Sequence, residues 1–269
     1  GACGGAVRDA RGRVCGGVRD GGAVSAPYWQ SSDGRIAIYH VEHVAVLPGL
    51  GGFDVAVTDA PFGIGHGKLG ARKGGRTGPQ RKVKSTAYHA PAKWDAEINP
   101  AWCSTLCSAA PIVAWFGSWK RRAQVEQAMP HPIRCEVIWA KDTHVGPPCP
   151  AAMRDERIWL FSRETFEGQH FETTVWDEPI IPTWEHRWHD NQKPERLMGR
   201  LIRWTCPPGA HSVDPFMGSG STLVAAQRLG FCCTGIDASE EHCESAVVRL
   251  GGMGKQAAEP VGPLFGGKP

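Results

Sequence analysis

The stretch SVDPFMGSGST, residues Ser212 to Thr222, decides the fold that we predict for this chain. It has the pattern of a buried strand end, a tight glycine turn and the start of a helix over residues 221–229. A second apolar run, Phe231 to Ile236, follows and ends at Asp237. The pattern predicts a β-α-β unit, with backbone N–H groups facing a ligand at the first turn. The carboxylate at the tip of the second strand suits ribose hydroxyls.

The turn differs from two common nucleotide-binding motifs. A P-loop carries lysine directly before its Ser/Thr, where this chain has Gly220. The dinucleotide fingerprint has glycine or alanine where this chain has Leu223. Asp214 at the head of the turn is a poor neighbour for a pyrophosphate but suits a ligand with a positive amino group. The alternative, a tight turn without a ligand, is disfavoured by the match at Asp237.

Three segments resemble motifs of the amino-group DNA methyltransferases, which methylate N6 of adenine or N4 of cytosine. Asp214–Thr222 is similar to their S-adenosylmethionine-binding motif, and Asn191–Pro194 with the helical Glu195–Met198 is similar to the segment before it. Thr58–Gly63 resembles their catalytic Asp-Pro-Pro-Tyr/Phe tetrapeptide. The catalytic motif comes first, as in the circularly permuted beta subgroup. The resemblance runs from about Ile36 to Leu250.

This resemblance implies an α/β, Rossmann-like methyltransferase fold: a mostly parallel seven-stranded sheet with one antiparallel edge strand and helices on both faces. Apolar runs predict strands over residues 55–57, 112–116, 137–139 and 158–161 and helices over 102–110 and 120–129, and we expect strands 137–139 and 158–161 to pair as the antiparallel edge. We place the methyltransferase domain at 28–250. The glycine- and proline-rich ends, 1–27 and 251–269, are predicted to be a disordered segment and a flexible tail.

The resemblance also implies the catalytic residues Asp59, Ala60, Pro61 and Phe62. Asp59 would accept a hydrogen bond from the exocyclic amino group, and the main-chain carbonyl of Ala60 or Pro61 would accept the other hydrogen. Phe62 would stack on a base that has been flipped out of the duplex. The alternative for Asp59 is a turn-capping aspartate after a strand.

By the same resemblance, the cofactor is S-adenosyl-L-methionine. Asp214 would face its methionine amino group, Asp237 its ribose hydroxyls, and Glu42 its adenine, in place of the family's Gly-Asp pair. The residues implied at the methionine carboxylate are Phe216, Gly218, Ser219, Gly220, Ser221 and Thr222. Those implied at the methionine end are Asn191, Lys193 and Pro194.

Two departures from the family pattern bear on activity. Ala60 stands where the catalytic motif usually has proline, and Val41, before Glu42, stands where glycine is usual. An alternative function is therefore a catalytically weak, DNA-binding relic.

A basic, glycine-rich stretch over residues 64–93 begins just after the catalytic motif. No acidic residue lies between Asp59 and Asp95. We predict a mobile loop that contacts DNA phosphates, the alternative being a solvated loop without a partner. Its candidate DNA-binding residues are Lys68, Arg72, Lys73, Arg76, Arg81, Lys82 and Lys84.

Aromatic and histidine side chains cluster in the irregular segment 167–190, which contains Trp176, Trp184 and Trp188. They indicate either a target-recognition segment or core and dimer packing. His170, His186 and His189 have no ligand pattern beside them, and the ten cysteines include no Cys-x-x-Cys pair, so we predict no metal. The cysteines are expected to be reduced thiols packed as small hydrophobic groups.

Composition fits one α/β domain, because 269 residues lie near the upper limit for a single core. No apolar run reaches the roughly 18 residues of a membrane span, and no apolar signal core opens the chain. We therefore expect a cytoplasmic protein, bacterial or phage-encoded, with DNA as its partner, no membrane association, and a homodimer as the family often forms. The predicted function is adenine-N6 DNA methylation, since aspartate at the first catalytic position favours adenine. N4-cytosine methylation remains the first alternative, and methylation of RNA or of a protein amide remains a further one.

Overall fold

The computed structural model describes residues 26–50, 52–60, 98–143, 154–182, 185, 187–188 and 192–252. Their strands are β1 (Trp29–Gln30), β2 (Ile36–His40), β3 (Val55–Thr58), β4 (Ile112–Gly117), β5 (Ile133–Ala140), β6 (Asp155–Ser162), β7 (Val175–Asp177), β8 (His211–Asp214) and β9 (Cys232–Asp237). Their helices are α1 (His43–Val46), α2 (Pro100–Ala109), α3 (Arg122–Ala128), α4 (Glu195–Thr205), α5 (Ser221–Leu229) and α6 (Glu240–Gly252).

All nine strands form one sheet in the order β1-β2-β9-β8-β3-β4-β6-β5-β7. From β2 to β4 the neighbours are parallel, whereas β6 is antiparallel to both β4 and β5. The predicted fold class, a mostly parallel α/β sheet, is confirmed. So is the antiparallel pairing of 137–139 with 158–161, because Val137 lies opposite Ile158.

Two details of the predicted sheet are wrong. It has nine strands instead of seven, because β1 and β7, with two and three residues, are too short to give a sequence pattern. The antiparallel strand, β6, also lies inside the sheet and not at its edge. β5 and β6 form a hairpin, and the second strand of that hairpin pairs with β4. Helix α5 covers the predicted residues 221–229. The ends 1–25 and 253–269 and the loop 64–93 lie outside the described residues.

Side chains of each central strand alternate between two cores on opposite faces of the sheet, as the period of two dictates. Along β2, Ile36 and Ile38 pack with α4, α5 and α6, whereas Ala37 and Tyr39 pack with α1 and α2. Trp176 of β7 is fully buried, edge-on to Trp204, which supports the core-packing interpretation of this aromatic residue.

The cysteines are mostly small core residues. Free thiols are found at Cys103, Cys107, Cys135, Cys206, Cys233 and Cys243. Cys232 is disulfide-bonded, so the prediction of reduced thiols is wrong there. Pairing with Cys233 is excluded, because Cys233 is a free thiol and adjacent residues of a strand face opposite sides of the sheet.

The parallel strands β2, β9, β8, β3 and β4 all end at one edge of the sheet, which we call the carboxyl edge. Ligands of open α/β sheets bind beyond this edge. Because β6 runs the other way, its first residues also lie there, next to the last residues of β5. Among the described residues, no helix is long and apolar enough to cross a membrane.

Candidate active site

Asp59 comes directly after β3, whose four residues are all buried. Its Oδ2 atom lies 2.7 Å from Nζ of Lys193. Its Oδ1 atom is buried and has no hydrogen-bond partner among the described residues. Ala60 is 1% exposed and packs in the core on the α2 side. The other two predicted catalytic residues, Pro61 and Phe62, lie outside the described part of the chain.

Lys193 joins Asp59 to two further charged residues that the sequence analysis missed. Its Nζ atom lies 3.0 Å from Oε1 of Glu156, the second residue of β6, and 5.2 Å from the centre of the Phe116 ring. Glu156 Oε2 in turn lies 2.9 Å from Nζ of Lys141, which follows β5. We call Asp59, Lys193, Glu156 and Lys141 the charge chain. Its side chains are between 9% and 24% exposed.

The charge chain alternates in sign, and its members affect one another's pKa values. Burial raises the pKa of Asp59, Lys193 opposes that rise, and Glu156 adds to it. Burial also acts on Glu156, but Lys193 and Lys141 outweigh it and hold the pKa of Glu156 below its usual range. The pKa of Lys193 is raised, because its two carboxylate partners outweigh burial. Lys193 is therefore a permanent cation between two carboxylates.

The glycine turn between β8 and α5 needs residues without a side chain. Gly218 and Gly220 have φ angles of 49° and 77°, in the left-handed region that favours glycine. A Cβ atom on Gly220 would lie 2.9 Å from Cβ of Ala246 in α6. The turn therefore packs closely against α6. Because Gly220 is the N-cap of α5, the backbone of the turn and the N-terminus of α5 lie together at the carboxyl edge.

Asp214 ends β8 and is 4% exposed. Its carboxylate accepts hydrogen bonds from the Thr222 hydroxyl at 2.5 Å and from the Phe216 backbone N–H at 3.2 Å. Burial raises the pKa of Asp214 to about 7 in spite of these two bonds. A positively charged group beside this carboxylate would stabilise its ionised form and offset much of the effect of burial.

Arg249 of α6 holds the glycine turn from inside the protein. Its Nη1 atom donates to the Ser219 carbonyl at 2.5 Å and lies 3.1 Å and 3.3 Å from the hydroxyls of Ser219 and Ser221. Its Nη2 atom donates to Glu195 at 2.8 Å. Thus the Ser219 and Ser221 hydroxyls contact Arg249, while that of Thr222 contacts Asp214. Arg249 has no distinctive sequence signal, because a basic residue in the last turn of a helix is common.

Asp237 ends β9 beside this turn. Its carboxylate accepts from the backbone N–H groups of Gly218 and Ser239, at 2.9 Å and 2.8 Å, and lies 3.1 Å from Nδ1 of His242. The hydrogen bond to Asp237 raises the pKa of His242. Glu42 is exposed and lies just after β2. The last residue of β2, His40, pairs with Asp237 at the end of β9. The structure therefore places Glu42 and Asp237 at adjacent strand ends.

His43, directly after Glu42, is a buried residue that the sequence analysis missed. Its ring packs 4.6 Å from the Phe216 ring and 5.7 Å from the Trp102 ring, between centres. Burial lowers the pKa of His43 to about 4, so the ring is neutral at pH 7. Its Nε2 atom has no hydrogen-bond partner among the described residues. A histidine in an apolar sequence context can be recognised only when its neighbours in space are known.

The remaining predicted site residues cannot be placed. Asn191, Trp184, His186, His189 and the basic residues Lys68, Arg72, Lys73, Arg76, Arg81, Lys82 and Lys84 lie outside the described residues. Within the described ranges, no group of three or more His, Cys, Asp or Glu side chains could hold a metal ion.

Comparisons with known proteins show the family of the chain. The family model of the N6/N4 DNA methylases matches residues 113–248. The type II methyltransferase M2.DpnII of Streptococcus pneumoniae is 47% identical over 62 residues, which cover 23% of each chain. M.ScaI of Streptomyces caespitosus is 22% identical over 282 residues, covering 85% of this chain and 84% of M.ScaI.

Two solved structures share the fold. The M1.HpyAVI–SAM complex has a TM-score of 0.58 at 18% identity, covering 80% of this chain and all of that one. The cytosine-N4-specific PvuII DNA methyltransferase has a TM-score of 0.59 at 11% identity, covering 84% of this chain and 89% of that one. Because the family model spans half of the sequence, the chain belongs to the N6/N4 family of DNA methylases, which are S-adenosylmethionine-dependent enzymes.

Proposed function

We propose that this protein methylates the exocyclic N6 of adenine in DNA, with Asp59 as the hydrogen-bond acceptor for the reacting amino group. One observation carries the proposal: Oδ1 of Asp59 is buried without a hydrogen-bond partner among the described residues, while Oδ2 is held by Lys193. Leaving a buried acceptor unpaired costs about 1–3 kcal/mol, so such an atom in a binding cleft indicates a donor supplied by a ligand. An exocyclic amino group is a donor of this kind.

The chemistry requires a better nucleophile than a free nucleobase amine, because that nitrogen's lone pair is delocalised into the ring. Hydrogen bonds to Asp59 Oδ1 and to a main-chain carbonyl of the catalytic motif favour the tetrahedral nitrogen that can attack. The bound cofactor supplies a methyl group on a positively charged sulfur. Asp59 also stabilises the positive charge that develops on the nitrogen, in a site that is largely shielded from water. The reaction therefore depends on positioning and electrostatics, without a covalent enzyme intermediate.

The residues around the glycine turn fit the cofactor. We assign the methionine amino group to Asp214, because its buried carboxylate gains most from a positive partner. The ribose hydroxyls are assigned to Asp237 and the adenine side to Glu42, which lie at adjacent strand ends. Phe216, Gly218 and Gly220 would line the methionine carboxylate through the turn backbone. Lys193 contacts Asp59, and Pro194 is the N-cap of α4, so we propose that this segment lies beside the methionine end of the cofactor.

Ala60 bears on the alternative of an inactive relic. Its side chain is 1% exposed and faces the core, whereas Asp59 before it faces the cleft. Alanine at this position therefore contributes to the packing of this core. This observation favours an active enzyme.

The test is identification of the methylated nucleoside. Purified protein is incubated with labelled S-adenosylmethionine and unmethylated duplex DNA, and digested nucleosides are identified by mass. We expect N6-methyladenine in the wild type and none with Asp59→Ala, which should still bind the cofactor. N4-methylcytosine would overturn the base assignment, and methylation of only a parallel RNA substrate would overturn DNA as the acceptor. An absence of product from a cofactor-binding wild type would overturn the proposed activity.

DNA contacts by the basic loop and homodimer formation remain predictions. If residues of this loop contact DNA phosphates, DNA affinity should fall steeply with salt concentration. The variants Arg81→Gln and Lys82→Gln should then each show a weaker salt dependence.

Cofactor affinity is expected to depend on pH through Asp214. The pKa of this group is about 7 in the free protein, and the bound methionine amino group favours the carboxylate. Binding below pH 7 therefore releases a proton, and Kd should rise about tenfold for each unit of pH below about 7. Above pH 7, Kd should be constant. Titration calorimetry between pH 5.5 and 8.5 measures this, and Asp214→Asn should bind more weakly with a flat profile in that window.

Asp214 also affects the stability of the fold, but here a rise in pH is unfavourable, whereas it favours cofactor binding. Because its folded-state pKa lies above the model-peptide value of 3.8, the folded protein binds the additional proton between pH 4 and 7. The contribution of Asp214 to the free energy of unfolding therefore falls as pH rises through this window.

A further inference from the structure

We propose that Glu156 is a positioning residue for methyl transfer: it draws the Lys193 ammonium to one side of Asp59, which leaves Oδ1 free for the target amino group. This inference rests on the proposed function. It concerns a residue whose contacts in the described structure are with Lys193 and Lys141, and which acts on Asp59 through the position of Lys193 and through its own charge.

The geometry of Lys193 carries the argument. Its Nζ atom lies 2.7 Å from Asp59 Oδ2 and 3.0 Å from Glu156 Oε1, so two carboxylates share one ammonium. An ammonium is a compact charge with three donors, and facing a single carboxylate it can settle between both oxygens. The second carboxylate prevents this, because it holds the ammonium on the Oδ2 side. As a result, the Oδ1 atom of Asp59 has no hydrogen-bond partner within the part of the chain that the structure describes.

Glu156 is itself fixed from behind. Lys141 Nζ lies 2.9 Å from Glu156 Oε2 and 4.5 Å from the centre of the Trp139 ring. The side chains of Lys141 and Glu156 are each 11% exposed. The carboxylate of Glu156 therefore faces one lysine with each oxygen: Oε2 accepts a hydrogen bond from Lys141, and Oε1 forms an ion pair with Lys193.

A structural purpose alone explains this arrangement poorly. Removing charges from water costs several kcal/mol for each ion, and well-packed apolar residues often give equal or greater stability in such places. Here four charges come from four separate segments: the ends of β3 and β5, the start of β6 and the residues before α4. They converge on the carboxylate that the proposed chemistry uses.

The charge of Glu156 also affects the basicity of Asp59. The charged groups that act on Asp59 are Lys193 and Lys141, which lower its pKa, and Glu156, which raises it. The nearby Asp214 is affected by Asp59 in turn. Removing the charge of Glu156 should therefore lower the pKa of Asp59 and shift the acidic limb of the kcat profile to lower pH.

The experiment compares three variants of the full chain by steady-state methylation of duplex DNA from pH 5.5 to 9. Glu156→Gln should lower kcat at neutral pH by about tenfold to a hundredfold, through misplacement of Lys193, with KM for S-adenosylmethionine unchanged. Its acidic limb should move down by about one pH unit. Glu156→Asp, which keeps the charge with a shorter reach, should lower kcat without moving the limb.

Glu178→Gln is the matched control, because Glu178 is a buried acid after β7 that lies outside the charge chain. It should lower the melting temperature comparably and leave the pH profile in place. A Glu156→Gln enzyme with the wild-type kcat and limb would overturn the inference while the proposed function stands. If Glu156→Gln does not fold, a Glu156→Asp enzyme with unchanged kcat overturns it. A wild type without methylated product, scored before the variants, would overturn both.

Discussion

Replacing Lys193 by methionine is expected to abolish methyl transfer at neutral pH and to lower the free energy of unfolding by about 3–5 kcal/mol. The variant leaves Asp59 and Glu156 buried against each other without the cation that separates them. One carboxyl group must then take up a proton, and a protonated Asp59 no longer accepts a hydrogen bond as an anion does. Methionine keeps the length and apolar stem of lysine, so the loss comes from the charge.

The measurements are kcat against pH and denaturant unfolding. Raising the pH should restore part of the activity, because Asp59 ionises again, and should lower stability further for the same reason. Lys141→Met is the matched control, as it removes the outer cation of the charge chain. Lys141→Met should lower kcat and the free energy of unfolding by less than Lys193→Met does, since Lys193 still contacts both carboxylates. Activity of Lys193→Met at neutral pH within a factor of about three of the wild type would contradict the role given to this lysine.

Replacing Arg249 by methionine is expected to raise the cofactor Kd by about tenfold to a hundredfold and to lower the free energy of unfolding by about 3 kcal/mol. Arg249 is 7% exposed and joins the Ser219 carbonyl to Glu195 at the start of α4. Its loss leaves buried acceptors unpaired and releases the glycine turn from α6. The turn then pays an ordering cost when the cofactor binds.

Arg228 offers a matched control on the same partner. Its Nη1 atom lies 2.7 Å from Glu195 Oε2, but its side chain is 48% exposed. Arg228→Met should change stability by at most about 1 kcal/mol and leave cofactor affinity unchanged, because exposed ion pairs contribute little. Calorimetric titration and thermal unfolding measure both effects. Equal changes in the two variants would show that Arg249 acts only as a partner of Glu195.

The sequence predicted the parts of the fold that depend on local rules. Glycines at 218, 220 and 230 delimit α5, and the apolar runs before Asp59 and Asp237 predict the strands that deliver these carboxylates to one edge. The family resemblance added the cofactor and the order of motifs. Strands β1 and β7 were missed, since so few residues carry no periodicity and pair only because a neighbouring edge exists.

The charge chain could not be predicted, because its contacts are made across the sheet. Asp59 and Lys193 are separated by 134 positions in sequence. In the sequence, Glu156 is an ordinary polar residue at the start of a strand. It lies near Asp59 only because β6 runs antiparallel to its neighbours and therefore begins at the carboxyl edge. Lys193 was predicted on the cofactor side by resemblance, whereas the structure shows it bound to Asp59. The local pattern thus gives candidate residues, and the register of the sheet decides their partners.

The reversal of β6 has a consequence for how this scaffold can diversify. Ala140 and Asp155 face each other across the hairpin, so the connection between β5 and β6 leaves and re-enters the sheet at the carboxyl edge. Insertions there lengthen a loop at the rim of the cleft without breaking a rung of the ladder or disturbing the strands that carry Asp59 and Asp214. The connection of this hairpin is therefore a position where new residues can be introduced while the strands that carry Asp59 and Asp214 stay unchanged.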